Sequence, residues 1–508
     1  MSIDDVPDTK PVLASHGAQT ATIIAVCGSV VLADGLFWGQ RYPGVSLPTY
    51  FASVAILHLA LSHTDRPRSH FGVGVLLAGL APTIETINAL TLLIGATGTF
   101  FACMAFRQNL PAKWPERVDA LFTSLGKAVL RFPRFAIASL QHVGGGFVVE
   151  RTRSWLIPLL FSTVFVVLFV YANPIWQRWF EQIDVGSILD IVLSGRFIFW
   201  IALAWFAYPF IEQKAPVRPA LQALGGYFRS LAGVGKRRQA SEIGTTFFKR
   251  CLALFNLVFA AQSTLDLTYL WAGAALPDGM TYASYAHRGA YPLVAAALLA
   301  GAFVIVALQP GGPGERSKLV RWLVLFWVAQ NLLLLLSSVL RLSLYVEAYA
   351  LTYWRVAAFI WMALVAAGLL LIIARFVLAK SNTWLLMANG LTLLLTVYGA
   401  AFVNFPYVIS MWNVTHSSYL VADGSRLDLD YLGDLGPMAL PAMNVLLESV
   451  NPQSTDDRPH LHRIEEEMRA MKGRMLADTL HMQSGGWRSW TFRRERLIWY
   501  IQGQYARP

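Results

Sequence analysis

The stretch that decides the fold runs from Lys249 to Tyr291: KRCLALFNLVFAAQSTLDLTYLWAGAALPDGMTYASYAHRGAY. It begins as an apolar helix long enough to cross a bilayer, and it carries an acid, Asp266, inside that helix. It then leaves through a turn rich in Pro, Gly and Tyr and ends near His287 and Arg288. An ionisable residue within such a helix should face other helices or a wet cavity. The stretch therefore predicts both a membrane helix and a candidate site.

The whole chain shares the character of this stretch. Of its 508 residues, 56% are apolar and 14% are charged, whereas about 25% of an ordinary soluble domain is charged. Continuous apolar runs of about 20 residues recur from Ala21 to Val408. These runs predict an all-α polytopic transmembrane bundle. They do not alternate in the way that the strands of a membrane β-barrel do.

The formal charge of +11 does not predict a nucleic-acid partner, because the Lys and Arg residues fall in loops between the apolar runs. The three cysteines lie inside those runs, and they predict no disulfide framework. We find none of the Walker, dinucleotide, H-E-x-x-H, G-x-S-x-G or C-x-x-C motifs, so we expect no cofactor. His460, His462 and Glu466 are better explained as a solvated helix start than as metal ligands, and we expect no metal.

We predict about eleven spans between residues 21 and 408, after a polar tail at residues 1–20. The fifth, eighth and eleventh are at about residues 155–172, 291–308 and 384–408. If the N-terminus is cytoplasmic, every basic loop also falls on the cytoplasmic side, as the positive-inside rule requires. These loops are residues 63–70, 107–153, 212–250, 310–319 and 379–382. The tail at residues 409–508 is then extracytoplasmic. Helical spacing in residues 436–450, 461–480 and 487–502 predicts that it forms a small helical cap.

Polar side chains converge at the predicted outer end of the bundle. Gln262, Asp266 and Tyr269 share one helix face, with Asn256 and Ser263 further round the same side. Gln330, Ser337 and Arg341 share a face of a later span. The other residues that we assign to this depth are His287, Arg288, Glu347, Arg355 and Asp34. We predict that Asp266 pairs with Arg288 or Arg341, either as a structural lock between helices or as part of a functional site.

Four stretches resemble a known family: residues 32–47, 256–293, 340–362 and 401–442. They are similar to a bacterial polytopic membrane family catalogued as a domain of unknown function (number four-one-seven-three). Members usually carry an acid where this chain has Ser284 in YASYAHRG. The resemblance implies a bacterial inner-membrane protein, and it implies no particular activity.

Three functions remain open on the sequence. The first is transport or sensing in the cell envelope, with a small solute or a lipid headgroup as ligand, membrane lipids around the bundle and an envelope protein on the C-terminal cap. The second is a transferase that uses a lipid-linked donor at the outer leaflet. There His287 or Glu347 would be the general base, and Arg288 or Arg341 would bind phosphate. The third is a structural or scaffolding membrane protein, which predicts a dry, closed bundle.

Overall fold

The computed structural model describes residues 10–61, 69–106, 195–211, 241–272, 318–421, 424–449 and 459–505, together with residues 126, 130–136, 138 and 139. These residues form two compact units. The first contains the described residues up to Ile211 and those from Met482 onward, and the second contains those from Ser241 to His481. In the described part of the chain the regular elements are helices, apart from one isolated bridge between Ser417 and Ser425.

The first unit is built from a group of apolar helices and a short C-terminal segment. Its helices are α1 (Lys10–Phe37), α2 (Ser46–Leu61), α3 (Ser69–Glu85), α4 (Ala89–Phe106) and α5 (Gly195–Ile211). Tyr50, Phe51, Phe100 and Phe210 form the centre of its apolar core, and the rings of Phe100 and Phe210 meet edge to face. The core therefore joins α2, α4 and α5.

Helices α3 and α4 cross at two glycines. A methyl group added to Gly79 would lie 2.9 Å from the Gly98 Cα atom, and one added to Gly98 would lie 2.7 Å from the Gly79 Cα atom. Small residues at such a crossing let two membrane helices approach backbone to backbone, which is a principal source of helix association in lipid. The pair thus sets the spacing between α3 and α4.

Substitution of Gly79 tests this crossing. We expect Gly79→Ala to force α3 and α4 apart and to lower the melting temperature in detergent, because the contact is with backbone, which cannot rotate away. Gly74→Ala is the matched control on the same helix, since its added methyl group meets nothing within 4 Å. It should be neutral or slightly stabilising. Equal melting temperatures for the two variants would contradict the proposed crossing.

The second unit contains the long central helices. They are α6 (Ser241–Asp266), which continues into a π-helical turn (Leu267–Trp271), α7 (Lys318–Tyr349), α8 (Tyr353–Val377) and α9 (Asn382–Ala400). Leu252, Val324, Trp327, Leu369 and Leu385 contribute to its apolar core, so one residue or more from each of the four helices meets there. This core holds α6 along α7.

The corner between α7 and α8 is fixed by side chains that bind the backbone. Ala350 has a φ of 67°, which ends α7. The Arg355 guanidinium donates to the carbonyls of Tyr349 and Ala350, at the point where the helix leaves them without intrahelical partners. Asn413 accepts from the Leu351 N–H at 2.6 Å and donates to the Leu351 carbonyl at 2.9 Å. The corner is therefore rigid.

The predicted eleventh span, residues 384–408, is shorter than expected, because α9 ends at Ala400. A new helix, α10 (Phe405–Thr415), begins where the Asn404 side chain accepts from the Tyr407 N–H and Pro406 occupies the first turn. The helices that follow are α11 (Leu429–Asp434), a 3₁₀ turn (Gly436–Ala439), α12 (Leu440–Ser449) and α13 (Pro459–Gln483). The predicted helices of the tail are thus present.

The C-terminal segment packs in the first unit. It contains a 3₁₀ turn (Gly486–Ser489) and α14 (Phe492–Tyr505). The Gly44 and Val45 N–H groups donate to the carbonyls of Arg488 and Trp490 at 2.8 and 2.7 Å. At the end of α3, Glu85 accepts from Arg493 at 3.1 Å and from Arg496. We call these contacts the C-terminal anchor.

The all-α fold is confirmed, and the protein is a helical membrane protein. Within the described ranges, five helical segments are long and apolar enough to cross a bilayer: Thr20–Phe37, Ala89–Phe106, Lys318–Tyr349, Tyr353–Val377 and Thr383–Ala400. Three shorter apolar helices accompany them: Ser46–Leu61, His70–Glu85 and Gly195–Ile211. The predicted spans near residues 155–172 and 291–308 lie outside the described residues, so the count of eleven stays a prediction, as does the side of the membrane on which each terminus lies.

Candidate functional site

Polar side chains are buried along the contact between α6 and α7. Asn256, Ser263 and Asp266 of α6 face Gln330 and Arg341 of α7, and each of the five is less than 8% exposed. We call this set the polar seam. The opposite face of α6 carries large apolar side chains that are 49–68% exposed: Leu254, Leu257, Val258 and Leu265. A helix with its polar residues inside and its apolar residues outside is suited to lipid.

An ion pair occupies one end of the polar seam. The Asp266 Oδ1 atom accepts from an Arg341 Nη2–H and from the Gln262 amide, the latter at 2.9 Å. The side chains of Asp266 and Arg341 are only 1% and 4% exposed. Removing two charges from water costs several kcal/mol per ion, which close pairing offsets only in part. The pair is therefore an expensive feature of the α6–α7 contact.

Two amides lie at the other end of the polar seam, and their orientation is determined by backbone carbonyls. The Asn256 Nδ2 group donates to the carbonyls of Leu252 and Leu323, at 2.7 and 3.1 Å. The Gln330 Nε2 group donates to the Asn256 carbonyl at 3.2 Å. Since only an amide nitrogen can donate to these carbonyls, each amide oxygen must point elsewhere. Among the described residues, neither Asn256 Oδ1 nor Gln330 Oε1 has a hydrogen-bond partner, and the same is true of Ser263 Oγ.

A π-helical turn follows the acid directly. The Ala272 N–H donates to the Leu267 carbonyl, five residues back, at 2.9 Å. The turn brings the Trp271 indole N–H to 3.0 Å from Ser337 Oγ of α7. Such single turns occur frequently at functional sites, because the extra residue redirects the side chains around it. The π-helical turn is not predicted by any motif in residues 263–271, STLDLTYLW.

Several predicted site residues come together here. Asp266 and Gln262 are in contact, and Arg341 is the predicted arginine that the structure places on Asp266. Tyr269 lies on the π-helical turn, but its side chain lies outside the described part of the chain. His287 and Arg288 also lie outside the described residues. Asn256, Ser263, Gln330 and Ser337 lie on the predicted helix faces.

Glu347 and Arg355 serve other parts of the second unit. Glu347 lies in the wall of a cavity of about 580 Å³ between α7, α8, α9 and the start of α10. Most of the other lining residues are apolar, among them Val346, Phe359 and Leu395. Arg355 closes the end of α7, and its guanidinium lies over the Tyr345 ring at 4.5 Å. A structural role explains these contacts of Arg355.

Asp34 belongs to a separate cluster in the first unit. Its carboxylate accepts from Arg196 at 2.5 and 3.0 Å and from the Trp200 indole at 2.8 Å. The Arg196 side chain is 48% exposed and lies 5.5 Å from the rings of Trp38 and Trp200. This pair joins α1 to α5.

Two further sequence features can be assessed. Among the described residues, there is no group of three or more His, Cys, Asp and Glu side chains that could hold a metal ion. Asn413, which begins an Asn-Val-Thr sequon, is 4% exposed and has both ends of its amide bound to Leu351. This asparagine is therefore a structural residue rather than a glycosylation acceptor.

These observations define the class of the chain as a helical membrane protein with a charged polar seam inside one helix pair. Residues 72–446 match the model of the family described as Domain of unknown function (DUF4153). The match covers well over half of the chain, so the protein belongs to this family. The resemblance to a membrane family of unknown function is confirmed, and the family number is 4153 in place of four-one-seven-three. The chain has no match among curated proteins or solved structures.

Proposed function

We propose that the protein is a transport or sensing component of the bacterial inner membrane and that the polar seam is its working site. In this proposal the N-terminus is cytoplasmic and the C-terminal helices are extracytoplasmic, available to an envelope protein partner. The observation that supports it is the Asp266–Arg341 pair, buried between a spanning helix and its neighbour. Ionisable residues at such positions usually act in ion, proton or solute pathways.

The geometry suggests how the site would work. A proton or a cationic solute that reaches Asp266 competes with Arg341 for the same carboxylate oxygen. Once Asp266 is neutralised, its ion pair with Arg341 is lost, and the contact between α6 and α7 weakens. A ligand that binds one arrangement of the two helices more tightly than the other then shifts the population between them. Binding at the polar seam is in this way coupled to helix movement.

The cavity beside Glu347 favours a second candidate, a transferase that uses a lipid-linked donor. Its apolar wall suits a hydrocarbon chain, and its volume lies within the usual range for ligand pockets. Glu347 would be the general base there. A purely structural role is the third candidate, in which the Asp266–Arg341 pair locks α6 to α7 and does nothing else.

Neutral substitutions separate these candidates. In a host strain that lacks the gene, we expect Asp266→Asn to fail to restore the wild-type phenotype, whereas Glu347→Gln and Asp34→Asn restore it. The reason is that, of these three acids, Asp266 alone belongs to the polar seam. Protein levels in the membrane must be equal, which immunoblotting checks. Loss of complementation by Glu347→Gln alone would support the transferase, and full complementation by all three variants would support the structural role.

A further inference from the structure

We propose that the polar seam binds water molecules through Asn256 Oδ1, Ser263 Oγ and Gln330 Oε1, and that this water reaches Asp266. The role that this water has in proton exchange rests on the proposed function. The presence of the water can be tested independently of that function.

The three atoms require hydrogen-bond donors that the described protein groups do not supply. None of the three has a partner in the part of the chain that the structure describes, and their residues are at least nine-tenths buried. The amide nitrogens of Asn256 and Gln330 already donate to backbone carbonyls. Rotating either amide would give its oxygen no donor from those carbonyls and would remove the hydrogen bond of its nitrogen. Buried polar atoms are nearly always satisfied, by protein or by ordered water.

The charge of the polar seam favours water over a metal cation. The Asp266 carboxylate is compensated by Arg341, and the three open atoms are neutral oxygens. A bound cation would leave an uncompensated charge in the interior of the helix pair, which is costly. Water carries no charge and offers two donors, which matches a set of atoms that lack donors.

The spacing of Asn256, Ser263 and Asp266 along α6 allows a continuous file of water to reach the Asp266 carboxylate. Ser263 lies one turn before Asp266, and Asn256 lies two turns before Ser263, on the same side of the helix. Two helical turns correspond to about 11 Å, so a file of a few molecules covers the interval. Protons could then exchange with Asp266 through the helix pair, although the surrounding face of α6 is apolar.

Cysteine reactivity tests this proposal with a matched pair. Ser263 is buried in the polar seam, whereas Thr264, the next residue, lies on the exposed face with its hydroxyl bound to the Ala260 carbonyl at 2.9 Å. Ser263→Cys and Thr264→Cys are made in a background in which Cys27, Cys103 and Cys251 are replaced by Ala. Native membranes are treated with 2-aminoethyl methanethiosulfonate and, separately, with silver ion. Both reagents need a thiolate, which forms in water and not in hydrocarbon.

We expect Ser263→Cys to react at least tenfold faster than Thr264→Cys, at the same rate in sodium nitrate and in choline nitrate, salts that leave silver ion in solution. Equal rates would overturn the proposal, because the polar seam would then be dry. Protection of Ser263→Cys by sodium alone would also overturn it, in favour of a cation site. If Ser263→Cys does not fold, Asn256→Cys and Val258→Cys provide the same comparison, since Val258 is 63% exposed. If Ser263→Cys is reactive and Asp266→Asn complements fully, the result supports water in the polar seam and rejects the proposed function.

Discussion

Arg341→Met should be among the most destabilising single substitutions in the second unit. It removes the guanidinium that contacts a carboxylate only 1% exposed, and breaking a buried ion pair by removing one of its members costs about 3–5 kcal/mol. We expect a large fall in the melting temperature in detergent, measured by tryptophan fluorescence. We also expect a smaller monodisperse peak in gel filtration. Arg196→Met is the control, because the Arg196 side chain is 48% exposed and its loss should change the melting temperature little.

The double variant Asp266→Asn with Arg341→Met should recover most of the lost stability. It leaves no charge at the polar seam, and replacing a buried ion pair by neutral groups of similar size is often neutral or stabilising. Asn also retains an acceptor for the Gln262 amide. If the double variant is as unstable as Arg341→Met, the loss comes from packing of the arginine stem, and the electrostatic explanation is wrong.

Gly44→Ala should detach the C-terminal anchor from the first unit. The added methyl group would lie 2.3 Å from the Ser489 carbonyl carbon and from the Trp490 carbonyl oxygen, and backbone cannot move aside without breaking its own contacts. The two backbone hydrogen bonds of Gly44 and Val45 would be lost, at a cost of about 1–3 kcal/mol together. We expect α14 to become accessible to trypsin in limited proteolysis.

Gly35→Ala is the matched control for this variant. A methyl group at Gly35 meets nothing within 4 Å, although the Gly35 carbonyl accepts from Arg488 of the same anchor at 2.9 Å. Its cleavage pattern should match that of the wild type. Protection of α14 in Gly44→Ala would show that the segment tolerates displacement at this point and is held chiefly by Glu85.

The residues of the polar seam could be predicted from the sequence because helical geometry fixes them locally. Asp266 and Gln262 are four residues apart, and Gln330, Ser337 and Arg341 recur at helical spacing, so each set had to share a face. The cost of exposing an acid to lipid then required these faces to turn inward. Helical spacing and the cost of burying charge in lipid therefore suffice to predict the inward-facing residues.

Other features depend on contacts between distant parts of the chain. The sequence left Arg288 and Arg341 equal as partners of Asp266, since spacing along one helix cannot choose between two others. It also placed Arg355 in the site, whereas the carbonyls at the end of α7 hold that guanidinium. The pairing of Gly44 with Arg488 joins residues far apart in sequence, and no local pattern marks it.

In our proposal the Asp266–Arg341 pair is a working site and not only a lock between helices. The most direct measurement is complementation of a deletion strain by the neutral double variant, Asp266→Asn with Arg341→Met, at a membrane level and melting temperature matched to the wild type. We expect a folded protein that fails to complement, because the charges themselves are needed. Full complementation by this folded variant would rule out a working site and leave the pair a purely structural contact.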